Sequence, residues 1–235
     1  MNPKVRKNIA IILARKNSKR IKNKNLIRID GKPLIEHSIN CAKESKLIDD
    51  IFVSSDSEEV KKICEKLEVN FINRSKRLSG DFIHSDEVLV DVIKKLNKNI
   101  KINLVIFLQP TSPLRPQKIL DKAIAFFKKN KADSLFSSTL FKNHIWSQNS
   151  ILKAINYNYK KRTFEQEKNN QFNENGSFYI FKSSKFLKSK NRLFGKKIHF
   201  EIPYIYSFQI DEILDISIIN FLFTLEKKNI TNYKI

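Results

Sequence analysis

Apolar runs the length of a buried strand alternate with amphipathic stretches through most of the chain. The first run, Ile9-Ala10-Ile11-Ile12-Leu13-Ala14, is branched and uninterrupted, as in a parallel strand covered on both faces. After the Gly31-Lys32-Pro33 punctuation, Leu34, Ile35, Ile39 and Ala42 recur at helical spacing. A second strand is predicted over 51–55. A helix opened by Ser57-Glu58-Glu59 follows, with carboxylates in its first turn where the macrodipole favours them. A short strand over 69–72 leads into a polar segment, 74–86, that has no period and reads as a loop. Ser85 or Asp86 is the expected cap of the next helix, whose buried face takes Val88, Leu89, Val92, Ile93 and Leu96. The run 102–108 is the most apolar of the chain and is expected near the centre of a sheet. It ends at Gln109-Pro110-Thr111-Ser112-Pro113-Leu114-Arg115-Pro116, with Pro116 predicted as the first residue of a helix reaching Lys129.

From 137 to 171 the rhythm stops. Phe141, Ile145, Trp146, Ile151, Leu152, Ile155, Tyr157 and Tyr159 are too many large apolar groups for a solvated loop, so an excursion packed on a partner subunit is expected. Strands at 176–181 and 199–206 and a helix over 213–228 complete the pattern. Repeated strand–helix alternation predicts an α/β fold, a Rossmann-like, doubly wound, mostly parallel sheet, built by residues 1–235 as one domain.

Composition changes this picture little. The 235 residues carry 45 Lys and Arg against 24 Asp and Glu, a net charge of +21. Only nine of the basic residues are Arg, and the lysines are spread beside Asn and Ile along the whole length. That is a global bias rather than a nucleic-acid stripe, and no zinc-finger, RNP or basic-heptad spacing accompanies it. A diffuse positive field does raise the encounter rate of anionic substrates. No apolar run approaches the ~20 residues of a membrane span, and no signal-peptide core precedes the first strand. Cys41 and Cys64 lack metal-ligand spacing and read as free thiols of a reducing cytoplasm.

Two segments carry chemistry. The first strand empties into Arg15-Lys16-Asn17-Ser18-Lys19-Arg20-Ile21-Lys22-Asn23-Lys24-Asn25. Loops at the carboxyl ends of strands are where open α/β sheets bind ligands. This one is rich in cations and short of carboxylates, a composition suited to a polyphosphate. It lacks the glycines of a P-loop or a dinucleotide loop, and Asn17 and Asn23 are the residues best able to take a positive φ in their place. A solvated charge run is the bland alternative. The second segment is the proline-rich 109–116 turn, rigid and at a strand's carboxyl end, with more polar side chains than a purely structural turn requires.

With these residues in place, the chain resembles the bacterial CMP-sialic acid synthetases, or acylneuraminate cytidylyltransferases, over nearly its whole length. Ala14-Arg15-x-x-Ser18-Lys19 with Lys24-Asn25-Leu26 looks like that family's CTP-phosphate loop. Leu108 through Arg115 matches its most characteristic run without a gap. Asn175-Gly176-x-x-Tyr179-Ile180, Ser54-Ser55-Asp56 and Asp81-x-x-x-Ser85 are similar to further family segments, weaker singly. The resemblance implies that CTP and a nine-carbon 2-keto sugar acid give a CMP-sugar and pyrophosphate, a reaction that serves cell-surface polysaccharides. It implies that Arg15, Ser18, Lys19, Lys24 and Asn25 hold the triphosphate, with Arg15, Lys24 and Asp211 as the catalytic groups. Asp56, Ser85, Gln109, Thr111, Ser112, Arg115, Asn175 and Gly176 would line the cytidine and sugar side. The 137–171 excursion would form a homodimer.

The chain departs from the family pattern twice. Where the family has Asp-Ile-Asp for Mg²⁺, this sequence has Gln209-Ile210-Asp211. The implied ligands are Asp211 with the carbonyl oxygen of Gln209, since Mg²⁺ takes few protein carboxylates alongside substrate phosphates. The competing structural reading makes Asp211 the cap of the last helix and leaves Asp215 without a role. The Arg expected before Asn175 to grip a sugar carboxylate is also missing, with Arg162 and Lys168 as the nearest cations. The motifs do not separate sialic, legionaminic and pseudaminic acids. A CMP-ketodeoxyoctonate-type synthetase and a non-catalytic nucleotide- or sugar-binding homologue are the alternatives.

Overall fold

The computed structural model describes residues 6–161 and 171–228. In chain order the elements are β1 (Lys7–Leu13), β2 (Arg28–Ile29), β3 (Lys32–Pro33), α1 (Leu34–Lys43), β4 (Asp50–Ser55), α2 (Glu58–Lys66), β5 (Asn70–Asn73), α3 (Ser85–Leu96) and β6 (Ile102–Leu108). They continue with α4 (Ile119–Lys129), β7 (Ser134–Leu140), β8 (Trp146–Gln148), β9 (Leu152–Ala154), β10 (Phe172–Lys182), α5 (Ser183–Ser189), β11 (Lys197–Glu201) and α6 (Ile213–Lys227). A seven-stranded sheet runs in the order β11-β7-β10-β6-β1-β4-β5. Every pairing in it is parallel except the two made by β10, which runs against both β6 and β7.

Strand alternation divides the core. On β1, Ala10 and Ile12 face Ile35, Ile39, Val60 and Ile124 from α1, α2 and α4. Ile9 and Ile11 face Val88, Leu89, Val92 and Phe186 from α3 and α5. The central strands are therefore covered on both faces, which is why they are apolar throughout. A smaller cluster of Ile21, Ile29, Leu34, Ile210 and Ile219 fastens the basic loop and α6 to the main body.

Several boundaries differ from the sequence expectation. Asp30 and Gly31, at φ 47° and 76°, turn β2 into β3 as a two-residue hairpin that the pattern alone did not reveal. α3 is preceded by His84, whose N–H donates to the Glu87 carboxylate at 3.2 Å. Ser85 and Asp86 instead turn to Arg192, which pairs with Asp86 at 2.7 Å and donates to the Ser85 hydroxyl. α4 starts at Ile119 rather than Pro116, after Lys118 adopts a left-handed φ of 56°. β7 continues to Leu140, so the rhythm breaks later than 137. Its two-stranded excursion, β8 and β9, projects Trp146, Ile151, Leu152, Ile155 and Tyr159 into solvent. The last strand of the sheet stops at Glu201, because Pro203 has no N–H for a ladder, and a 3-10 turn occupies Tyr204–Ser207.

Candidate active site

The chain steps from β1 outward to β4 and β5, then returns to place β6 on the other side of β1. The crevice at such a switch point, outside the strands' carboxyl ends, is the ligand position of open α/β sheets. A cleft of about 410 Å³ lies there, walled by the loop after β1, the turn after β6, the 74–85 loop and Asp211.

The loop after β1 is fixed by its backbone and its short polar side chains, which leaves its cations to face the cleft. Ala14 N donates to Ser54 O at 2.9 Å, Lys16 N to the Asp56 carboxylate at 2.7 Å, and Asn25 Nδ2 to Arg15 O at 2.9 Å. Asn23 takes the left-handed conformation, φ 52°, and starts the 3-10 turn Lys24–Leu26; Asn17 has no positive φ. Of the residues implied by the sequence, Arg15, Ser18, Lys19, Lys24 and Asn25 line the cleft from this loop. Ser85, Gln109, Thr111 and Asp211 line it from the other walls.

Charge in the cleft is paired rather than loose. Asp81 binds Arg15 at 2.8 Å and Lys19 at 3.4 Å, and Lys19 also lies 4.6 Å over the exposed Phe82 ring. Asp211 binds Lys24 at 3.1 Å and Arg20 at 3.3 Å, while Glu212 takes Arg20 at 3.2 Å. Lys24 is the most enclosed of these cations, its ammonium also donating to Ile210 O at 2.8 Å. The lining holds five cations, Arg15, Lys19, Arg20, Lys24 and Arg74, against two carboxylates, Asp81 and Asp211. A polyanion entering the cleft would replace Asp81 on Arg15 and Lys19 and keep a net attraction.

Arg74 was not singled out in the sequence, although it is the first residue beyond β5. Its N–H donates to Ser55 O at 2.9 Å, and its guanidinium is held by Leu78 O, with burial lowering its pKa. Position at a strand's carboxyl end was the signal available, and the polar 74–86 segment obscured it.

Six expected residues stand behind the lining. Asp56 anchors Lys16 N and opens on a separate shallow pocket. Arg115 is buried and donates to Ser38 Oγ at 3.0 Å, Ser177 Oγ at 3.0 Å, and the Gln109 and Ser177 carbonyls at 2.8 Å. Desolvation lowers its pKa to about 10, and its guanidinium braces the turn from inside instead of meeting a ligand. Ser112 is fully buried beneath the same turn. Asn175 accepts from Ser137 Oγ at 2.6 Å and Ser177 N at 3.2 Å through its side-chain oxygen. Gly176 has φ 68°, a left-handed conformation that strains other residues, and a Cβ there would also push on the Gln109 and Gln209 amides. Gln209 donates to Asn175 O and accepts from Thr111 Oγ1 at 3.2 Å. Arg162 and Lys168 lie outside the described residues.

The capping question at the last helix has a clear answer. Asp215 accepts from both Asp211 N and Glu212 N at 2.7 Å, so the cap that the competing structural reading assigns to Asp211 belongs to the 212–215 pair. Asp211 is left with its Oδ1 against two cations and its side chain 44% exposed on the cleft. Among the described residues no group of three or more His, Cys, Asp or Glu is placed to hold a metal ion. Any divalent ion here would take most of its oxygens from a bound substrate.

The geometry of a cation-lined crevice facing a rigid Gln-Pro-Thr turn can be set beside known proteins. The cytidylyltransferase family model matches residues 9–230. The chain belongs to the cytidylyltransferase family. A pseudaminic acid cytidylyltransferase of Campylobacter jejuni is 31% identical over 95% of this chain and 99% of its own length. An N-acylneuraminate cytidylyltransferase of Streptococcus agalactiae is 28% identical over 97% of this chain, which spans only 57% of that longer protein. Among solved structures, a CMP:2-keto-3-deoxy-manno-octonic acid synthetase complexed with CTP superposes with a TM-score of 0.68 at 16% identity, over 94% of this chain and 99% of that one. A 4-diphosphocytidyl-2C-methyl-D-erythritol synthase of Anaerococcus prevotii gives a TM-score of 0.70 at 15% identity, over 93% and 99%. At these identities the structures establish the shared fold, and family membership rests on the sequence match.

Proposed function

We propose that this cytidylyltransferase activates a nine-carbon, sialic-acid-like sugar acid with CTP, releasing pyrophosphate. The observation that carries the reading is a cleft lined by five cations together with the Gln109–Thr111 turn. The names of the relatives supply the class of acceptor. Arg15, Lys19 and Lys24 hold the triphosphate, Ser18 and Asn25 orient the loop around it, and Arg74, Ser85 and Gln109 face the nucleoside. The sugar's anomeric hydroxyl attacks the α-phosphorus in line, and the bond to the β-phosphate breaks. Such chemistry depends on positioning and charge neutralisation more than on proton transfer by the protein.

The oxygen donors present suit Mg²⁺. Asp211 presents a half-exposed carboxylate at the mouth of a polyphosphate site, and Mg²⁺ keeps few protein ligands beside phosphate oxygens. A bound Mg²⁺ would neutralise charge on the transferring phosphates. Lys24, which touches Asp211 and Ile210 O, fixes where that carboxylate stands.

Two further parts of the proposal rest on surface features. The exposed apolar side chains of the β8–β9 hairpin support a homodimer formed through this excursion. Two free cysteines, and no helix among the described residues long and apolar enough to cross a membrane, support work in the cytoplasm. The deciding assay is pyrophosphate release from each of the four nucleoside triphosphates with a panel including N-acetylneuraminic, pseudaminic and legionaminic acids. CTP with at least one of these acids is expected to react. Equal turnover of UTP or ATP, or none with any acid, defeats the reading.

A further inference from the structure

The segment 209–211 runs behind the cleft lining and joins two of its walls to the Asn175 bulge behind them. Gln209 Oε1 accepts from Thr111 Oγ1 at 3.2 Å, and the next residue's N–H, on Ile210, donates to Thr111 O at 2.8 Å. On the other side Gln209 Nε2 donates to the carbonyl of Asn175, at the bulge where β10 changes register and Gly176 turns. Ile210 O then accepts from Lys24 of the basic loop at 2.8 Å, and Asp211 meets the same ammonium at 3.1 Å. Only Asp211 of the three belongs to the cleft lining.

The chemistry of the Gln209 contacts distinguishes a clip from a metal ligand. The amide is used as donor and acceptor at once, which a carboxylate cannot do. A Glu here would set a charge against the Asn175 carbonyl, and an Asp would be a methylene short of it. The oxygen of Gln209, the only atom of the amide that could meet a cation, already accepts from Thr111 Oγ1, and its nitrogen is turned to the Asn175 carbonyl.

We propose that Gln209 is a positioning residue rather than a metal ligand. Its amide clips the Thr111 turn to the Asn175–Gly176 bulge and, through Ile210 and Lys24, sets the place of Asp211. This deepens the function proposed above and rests on it. The metal role is thereby carried by Asp211 alone among the two residues the sequence pattern pairs.

The test separates metal affinity from turnover. Mn²⁺ binding to the protein saturated with CTP, without sugar acid, is followed by electron paramagnetic resonance for wild type, Gln209→Ala, Gln209→Asp and Gln209→Glu. Turnover is measured in parallel with Mg²⁺, and folding by circular dichroism. The Mn²⁺ Kd is expected to tighten in none of the three variants, so that the added carboxylate of Gln209→Asp or Gln209→Glu binds the ion no better than Gln209→Ala does. In each of them kcat/KM is expected to fall about tenfold, the scale of a lost hydrogen bond to a buried acceptor. Thr111→Val should cost no more in the Gln209→Ala background than a small further loss, because both changes open the same clip. Weaker Mn²⁺ binding in Gln209→Ala with tighter binding in Gln209→Asp overturns the inference, as does unchanged turnover in Gln209→Ala. If Gln209→Ala does not fold, the near-isosteric Gln209→Glu decides by the same two readings. A wild-type protein inactive with CTP and every acid would instead count against the function, while the Mn²⁺ comparison would still read the clip.

Discussion

At the scale of single residues, the cleft's cations are held by carboxylates that play unequal parts. Lys24 is enclosed and shares Asp211 with Arg20, so removing either Lys24 or Asp211 disturbs the end of the cleft proposed to take the phosphates. Lys24→Ala and Asp211→Ala are each expected to lower kcat/KM by about a hundredfold or more. Asp215 and Glu212 cap α6, so Asp211→Ala should leave the thermal midpoint nearly unchanged; a loss confined to stability would show that Asp211 is structural. Asp81 behaves oppositely. It occupies Arg15 and Lys19, the groups proposed above to hold the triphosphate, through half-exposed ion pairs worth at most ~1 kcal/mol. Asp81→Asn is therefore expected to tighten CTP binding by up to about fivefold, measured by isothermal titration at low salt. Weaker binding in that variant would mean that Asp81 contacts the nucleotide itself.

At the scale of elements, β10 is the part whose direction the pattern along the chain could not show. It runs antiparallel between two strands that are parallel to the rest, and its bulge at Glu174 and Tyr179 brings Asn175 and Gly176 over the turn after β6. The far end of the same strand is secured by Asp133 at the start of β7. Its carboxylate accepts from Lys185 at 2.7 Å, Lys182 at 2.9 Å and Lys196 N at 3.1 Å, which hold its pKa well below the usual carboxylate range. Gly195 permits this, because a Cβ there would sit 2.3 Å from Asp133 Oδ2 at a φ of 56°. A carboxyl group whose pKa is depressed by folding contributes its full stabilisation above the unfolded value near 3.9 and loses it as pH falls toward the folded value. The unfolding midpoint of wild type should therefore decline more steeply below about pH 4 than that of Asp133→Asn. Parallel profiles for the two proteins would refute this assignment.

At the scale of the whole molecule, Trp146, Ile151, Leu152, Ile155 and Tyr159 form one exposed apolar group on and beside the β8–β9 hairpin, away from a sheet whose two faces are already covered, while Tyr204, Ile213, Leu214 and Phe221 form another around α6. Sedimentation at micromolar concentration is expected to give about twice the 27.6 kDa chain mass. Trp146→Lys should shift the protein toward monomer by placing an unpaired charge in the contact. A wild-type monomer at that concentration would argue against this surface as the interface. The large positive charge of the chain acts at the same scale, since it raises anion encounter rates in a salt-dependent way without naming a partner.

The sequence by itself determined the buried strands, the helices on either side of them and the two segments that form opposite walls of the cleft. Those features are local: a strand covered on both faces must be apolar throughout, and a loop for polyphosphate must gather donors within a few residues. Only the tertiary structure decided which polar side chains face the cleft and which stand behind it. Arg115 and Asn175 are polar residues in matching motifs and Gln209 one at a departure from a motif, yet each is consumed by hydrogen bonds to segments tens of residues away. Their carbonyl and hydroxyl partners belong to α1, β7, β10 and the turn after β6, whose adjacency is set by sheet order and not by chain order. The same holds for Arg74, an ordinary residue in a polar loop until β5 places it at the edge of the cleft. Residue type and spacing record what a side chain can donate or accept; the crossing of strands records where the partner is.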